Sequence, residues 1–202
     1  MPNHRGEHSE DQIVEAAIRV LARQGFARTS LLDIAKEAGL SKGALHHHFP
    51  SKEALVAAVL ERALDRVAHR TLEVWARESG DPIQGLRSAV RELWHIRRDR
   101  TDEVVVVADL LAQSLYDSSL MPPIAAYFRF AAQQVVQTLL PHLQSKGFRL
   151  LVPGEFVPRL LVALLDGLAM QHYVDPQSID EDELLNAVEK MARSLLARAE
   201  RE

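Results

Sequence analysis

Lys42 and Lys52 are the residues whose placement first suggests a chemistry. Each follows a serine, Ser41 or Ser51, able to cap a helix, so each lysine falls in a first helical turn. A cation there opposes the helix macrodipole and costs roughly 0.3–1 kcal/mol at an exposed site. A helix N-terminus with a lysine beside it is, however, a good seat for a phosphate. One such lysine alone reads as a solvated surface group; the pair, in the motif that carries it, points to phosphate. The run His46, His47, His48 suggests a second chemistry, metal binding, and geometry removes it. Consecutive helical side chains point about 100° apart, so three in a row cannot chelate one ion from a regular helix. Ligand pairs want i, i+4 spacing. We expect no metal site, with His46 and His47 facing the same partner as Lys42 and His48 partly buried near its helix end.

The stretch that must position these groups runs from Thr29 to Lys52, TSLLDIAKEAGLSKGALHHHFPSK. Ser30 with Asp33 forms a capping box, and Ile34, Ala35 and Ala38 share one helical face. Gly39 ends this helix in the left-handed conformation that glycine adopts at little cost. Ser41 caps a second helix to about His47 with Leu45 inward; Pro50 stops it and Ser51 caps the next. Ala35 must be small where the helices cross, and Leu40 and Leu45 plug the angle between them. Small residue, glycine, then hydrophobe at these separations is the helix-turn-helix arrangement, which reads DNA with its second helix.

Over about residues 9–57 the chain resembles the DNA-binding domain of the tetracycline-repressor (TetR) family of transcriptional regulators, most closely in SLLDIAKEAGLSKGALHHHFPSKEAL. The resemblance implies a three-helix DNA-binding domain, a larger all-helical ligand-binding domain and a homodimer. It implies that Thr29, Ser30 and Lys52 meet phosphates, and that Ser41, Lys42, Gly43, Ala44, His46 and His47 lie in or beside the major groove. The family usually has tyrosine where this chain has His46. That tyrosine tends to contact the DNA backbone, a contact that would here depend on imidazole protonation.

The 202 residues are 47% hydrophobic and 26% charged, an ordinary globular composition with ample length for a core. A net charge of −4 argues against a protein that coats nucleic acid nonspecifically, and requires any DNA surface to be a small local patch. Cysteine is absent, so disulfides and thiolate metal sites are excluded and a reducing cytoplasm fits. Met1 to Gln12 is polar, without a signal peptide, and no apolar run approaches a membrane span.

In order along the chain, residues 1–8 read as a loose arm. A helix capped by Ser9 runs to Gln24 with Ile13, Ala17, Val20 and Leu21 inward; Gly25 ends it, and Phe26 and Phe49 pack beneath. A long helix runs from Ser51 to about Arg77, and we place the boundary inside it, between domains 1–55 and 56–202. Further helices are expected over about 82–98, 102–117, 122–145, 156–174 and 181–200. Val104 to Val107 favours strand by propensity, but Thr101, Asp102 and Glu103 signal a helix start, so this segment reads as helix. Pro141 predicts a kink or early end. In the last helix Leu184, Val188, Met191 and Leu195 form a packing seam, and with the greasy segment Leu160–Met170 it suits a four-helix bundle with a second subunit, Gly167 allowing close approach.

The fold class is therefore all-α: an N-terminal helix-turn-helix domain followed by a helical ligand-binding and dimerisation domain. The function expected is a DNA-binding regulator, a repressor acting as a homodimer on a near-palindromic double-stranded operator and released by a small-molecule inducer. Candidate ligand residues are Trp94, Asp109, Gln113, Tyr116, Tyr127, Phe130, Asp166 and Met170, aromatics and polar groups in or beside apolar runs. Each also has a plainer reading, as a core aromatic or as a carboxylate bonded to a neighbouring helix. No nucleophile signature, phosphate-cradling glycine loop or HExxH motif is present, so neither an enzyme nor a cofactor is expected.

Overall fold

The structure is a computed structural model that describes residues 4–77 and 81–198. By compactness the chain divides into two units, one made of residues up to Asp65 with Arg100–Tyr127, the other of Arg66–Asp99 with the rest from Phe128. The division falls inside the long helix, between Asp65 and Arg66, and groups the segment 100–127 with the N-terminal helices.

The first unit is built on α1 (His4–Gln24), α2 (Leu31–Glu37), α3 (Lys42–His48) and the start of α4 (Lys52–Arg77). α1 begins at His4, so the expected loose arm is helical at least from there. Beyond the stripe legible in the sequence, Val14, Ala16 and Ile18 are buried too, because α1 packs against both α2 and α6 (Asp102–Gln113). Gly25 ends it with φ 77°. Ser30 Oγ accepts from Asp33 N at 3.2 Å while Asp33 Oδ2 accepts from Ser30 N at 2.9 Å, the reciprocal capping box. The Ser30 hydroxyl, then its amide, holds the Asp33 carboxyl below the usual range. α2 closes with Gly39 N on Lys36 O at 3.1 Å and Leu40 N on Ala35 O at 2.9 Å, a Schellman turn with Gly39 at φ 67°. Glu37 draws α2 to α1 through Arg19 and Arg23, and Arg62 of α4 pairs with Asp11 and Glu15.

α6 runs straight through Val104–Val107, with Val106 and Leu110 buried. It ends at Gln113 and not at residue 117, because Ser114–Tyr116 turn back and Asp117 caps a short 3-10 turn, Ser118–Leu120, accepting from Ser119 N at 3.0 Å.

The second unit packs α5 (Pro82–Arg98) against α8 (Phe156–Val174) and α9 (Glu181–Ser194) over Val90, Trp94, Leu165, Ala169, Leu184, Leu185 and Val188. α7 (Met121–Ser145) continues through Pro141 without an early end. α9 stops at Ser194, and the last turn expected of it is instead β2 (Leu196–Arg198), antiparallel to β1 (Phe148–Leu150) with Leu150 opposite Leu196. Gly147, at φ 74°, turns the chain after α7 so that β1 offers open backbone groups, and pairing with them replaces helix bonds.

Gly39 has open space where a Cβ would lie, so its cost to an alanine is conformational alone. Gly39→Ala is expected to destabilise the unit by about 1–2 kcal/mol in urea unfolding; an unchanged midpoint would contradict the turn.

Candidate nucleic-acid interface

α3 is pinned by one residue. Leu45 is fully buried, while Ser41, Lys42, Gly43, His46 and His47 are exposed and Ala44 and His48 partly so. At about 100° per residue, His46, Gly43 and His47 lie roughly 100–160° round the helix from Leu45 and Lys42 about 60° from it, together one exposed arc of roughly 140°. Ser41 Oγ accepts from Ala44 N at 3.1 Å, which leaves its own proton for an outside acceptor. Among the described residues Lys42 makes no hydrogen bond or ion pair, so its three ammonium donors face outward. The first-turn amides of Lys42 and Gly43 are the ones that helix geometry leaves without an intrahelical acceptor. Phosphate oxygens and base-edge acceptors need such donors.

Gly43 carries a second signal. A Cβ there would meet only Ser41 Oγ, at 3.9 Å, an ordinary contact. Its backbone is helical, so nothing inside the protein calls for glycine where alanine would favour the helix by up to about 1 kcal/mol. An outside body approaching the backbone would supply such a reason.

The three residues expected at phosphates through the family resemblance are occupied differently. Thr29 is buried at 4% exposure and its hydroxyl donates to Gly25 O at 2.7 Å. The Ser30 hydroxyl donates to Asp33 Oδ2 at 2.6 Å. Lys52 Nζ donates to Phe26 O at 3.0 Å and Thr29 O at 2.8 Å and lies 3.6 Å from the Phe26 ring centroid. Burial pushes the Lys52 ammonium below its ordinary range, against the opposing pull of Glu53, Asp117 and Asp109. Each hydroxyl has one proton and has spent it, and Lys52 has spent two of three. In this structure these donors are engaged within the head, with Ser30 itself exposed. His46 and His47 are exposed and His48 is half-buried, with the His47 and His48 rings edge to face at 5.7 Å; among the described residues no group of three or more His, Cys, Asp or Glu could hold a metal ion.

Two family models match the chain: that of the bacterial regulatory proteins of the tetR family over residues 13–59, and that of the BetI-type transcriptional repressor C-terminal domain over residues 82–197. The chain belongs to the TetR family. It is a TetR-family DNA-binding transcriptional regulator and not an enzyme. It is 28% identical over 190 residues to the HTH-type transcriptional regulator TtgR of Pseudomonas putida, 91% of this chain and 88% of that one. A match to the HTH-type transcriptional regulator AcrR of Shigella flexneri is 35% identical but spans only 81 residues, 40% of this chain and 38% of that one. The crystal structure of a transcriptional regulator from Rhodococcus is similar with a TM-score of 0.67 at 26% identity, over 92% of this chain and 95% of that one. The TetR-family N-terminal match ends at residue 59, inside α4.

The residues expected at a ligand are dispersed. Trp94 is core, 1% exposed, with the His172 ring edge-on at 5.5 Å. Asp166 is bound to Arg97 at 2.6 Å. Tyr116 is 89% exposed, and Phe130 and Met170 are exposed as well. Gln113 ends α6, its carbonyl accepting from Tyr116 N, and Tyr127 is half-buried on α7. Asp109 accepts from Phe26 N at 2.6 Å, a partner 83 residues away. Its sequence signal was a lone carboxylate in the apolar run VVVVADLLA; nothing in the sequence indicated which amide it would find. A cleft of about 300 Å³ between the end of α4 and α5 is lined by Val74, Arg77, Ser88, Arg91, Glu92 and His95, none of them among the eight. No helix among the described residues is long and apolar enough to cross a membrane.

Gly43→Ala separates the two demands on α3. Its expected effect is unchanged or raised thermal stability together with operator affinity reduced about tenfold, read by a melting curve and fluorescence anisotropy. Equal affinity would remove the argument for a close-approaching duplex.

Proposed function

We propose that this regulator is a homodimeric repressor. It places α3 of each protomer in successive major grooves of a near-palindromic operator, and a small-molecule effector lowers its affinity. The observation that carries this reading is the exposed arc of Lys42, Gly43, His46 and His47, with Lys42 making no hydrogen bond or ion pair among the described residues while Thr29, Ser30 and Lys52 have theirs within the head. Ser41, Lys42, Gly43, Ala44, His46 and His47 are the proposed contacts, with Lys42 on a phosphate. Half-sites about 34–36 Å apart would then match the two heads.

The dimer is supported by α8. Phe156, Leu160, Ala163, Gly167, Met170 and Val174 are spaced alternately by four and three, the stripe of a helix seam. Phe156, Met170 and Val174 are 53%, 58% and 88% exposed, and Gly167 has open space before it. The seam expected on α9 is different: Leu184 and Val188 are consumed by the unit's own core. The α8 stripe remains for a second copy. For the effector, the cleft at α4 and α5 offers the guanidinium of Arg77 to a ligand bearing an anionic group, while Arg70 Nη2 already satisfies Glu92 at 2.7 Å and Arg91 Nε pairs with Glu181 at 3.3 Å.

Gel shifts with DNA from the protein's own upstream region test the reading. Wild type should bind, and Lys42→Ala should flatten the slope of log affinity against log salt by about one counterion. An unchanged slope, or no binding, sinks the phosphate role. Met170→Glu should convert a dimer to monomer in sedimentation; a wild type that sediments as monomer would refute the seam.

A further inference from the structure

The loop Gly25–Thr29 delivers the chain from α1 to the Ser30 cap of α2, and it is gripped from two sides. From α6, Asp109 Oδ2 accepts from the Phe26 amide at 2.6 Å, and a Cβ on Gly25 would stand 3.4 Å from the same oxygen. From α4, Lys52 Nζ donates to Phe26 O at 3.0 Å and Thr29 O at 2.8 Å, with its charge over the Phe26 ring. Phe26 is thus held at once by its N–H, its carbonyl and its ring, in each case by an ionised group. Bonds of this kind are about twice as strong as neutral ones and short in range. Asp117, in the turn after α6, adds a further negative charge that interacts with Lys52. The two carboxylates come from a segment that lies far from the head in sequence and packs against α1.

We propose that Asp109 and Lys52 are positioning residues for operator recognition, a two-sided clamp that fixes the 25–29 loop and through it the entry of α2 and the pose of α3. The proposal rests on the reading that α3 meets DNA, and it names where α6 acts on the reading head. Asp109 is then a coupling group and not a ligand contact. A shift of α6 by about one ångström takes the Asp109 oxygen out of hydrogen-bond range. The coupling is reciprocal: an operator that requires the clamped loop disfavours any state in which α6 has moved.

The test compares wild type, Asp109→Ala, Asp109→Asn and Lys52→Met as full chains, by amide hydrogen exchange at Phe26 and by operator affinity. In Asp109→Ala the Phe26 amide should lose protection at least about tenfold, and the operator dissociation constant should rise about tenfold. Asp109→Asn keeps an acceptor oxygen and should recover most of both, which a loss of general stability would not do. Lys52→Met keeps the stem over Phe26 but removes the donors; it reports from the other side and should show the same pair of losses, even if Asp109→Ala fails to fold. Unchanged Phe26 protection in Asp109→Ala or Lys52→Met, or lost protection with affinity within twofold of wild type, overturns the clamp. Absence of wild-type binding would sink the operator reading itself, whereas wild-type binding with indifferent variants sinks the clamp alone.

Discussion

The burial of Leu45 is the constraint on which the reading head depends. Its side chain is wholly inside, α3 packs on α2, and Ala35 and Ala38 are buried as well. Because a helix is rigid, burying one side chain fixes where the others point. Gly43, His46 and His47, on the far side of α3, must then face outward, and Lys42 is exposed at the edge of that arc. The Schellman turn at Gly39 sets the angle, and the Ser41 cap starts the helix at the residue that exposes Lys42 in its first turn. The energetics are ordinary: one buried leucine contributes about 1.5–3 kcal/mol and each cap about 1 kcal/mol. What they secure together is orientation.

Around that pin the polar groups of the head separate into two sets. Thr29, Ser30, Asp33, Lys52 and Asp109 close on one another and hold the loop before α2. Ser41, Lys42 and the amides of Lys42 and Gly43 keep donors that nothing inside consumes, whereas Ala44 N is taken by Ser41 Oγ. This economy explains how a chain with net charge −4 can bind DNA: the attraction need not come from bulk charge, since a few unspent donors are placed where an acceptor-rich duplex would lie. It also distinguishes two lysines that look alike in sequence. Lys42 follows a cap beside a glycine at the protein's edge. Lys52 follows a cap beneath Phe26, whose ring and carbonyl hold its ammonium in place of the hydration that burial costs it.

Local features were therefore legible and distant partnerships were not. The Ser30–Asp33 box, the Gly25 and Gly39 ends, the buried Leu45 and Phe49 and the helical reading of Val104–Val107 all follow from contacts within a few residues, which sequence displays directly. The inward turn of Lys52, the bond from Phe26 to Asp109 and the pairing of Leu196–Arg198 with Phe148–Leu150 join residues far apart, and their geometry exists only once the helices pack. The same limit scattered the ligand candidates. Aromatic type and apolar surroundings mark Trp94 and Tyr116 alike, yet one is core and the other 89% exposed.

The central claim, that the face of α3 opposite Leu45 lies against a duplex, is tested most directly by titrating isotope-labelled protein with its operator and following backbone amides by NMR. The account predicts that the largest shifts fall on Lys42, Gly43 and Ala44 and continue to His46 and His47, while amides of the Leu184–Val188 core stay still. Shifts that leave α3 untouched, or that centre on any other surface of the chain, would contradict it.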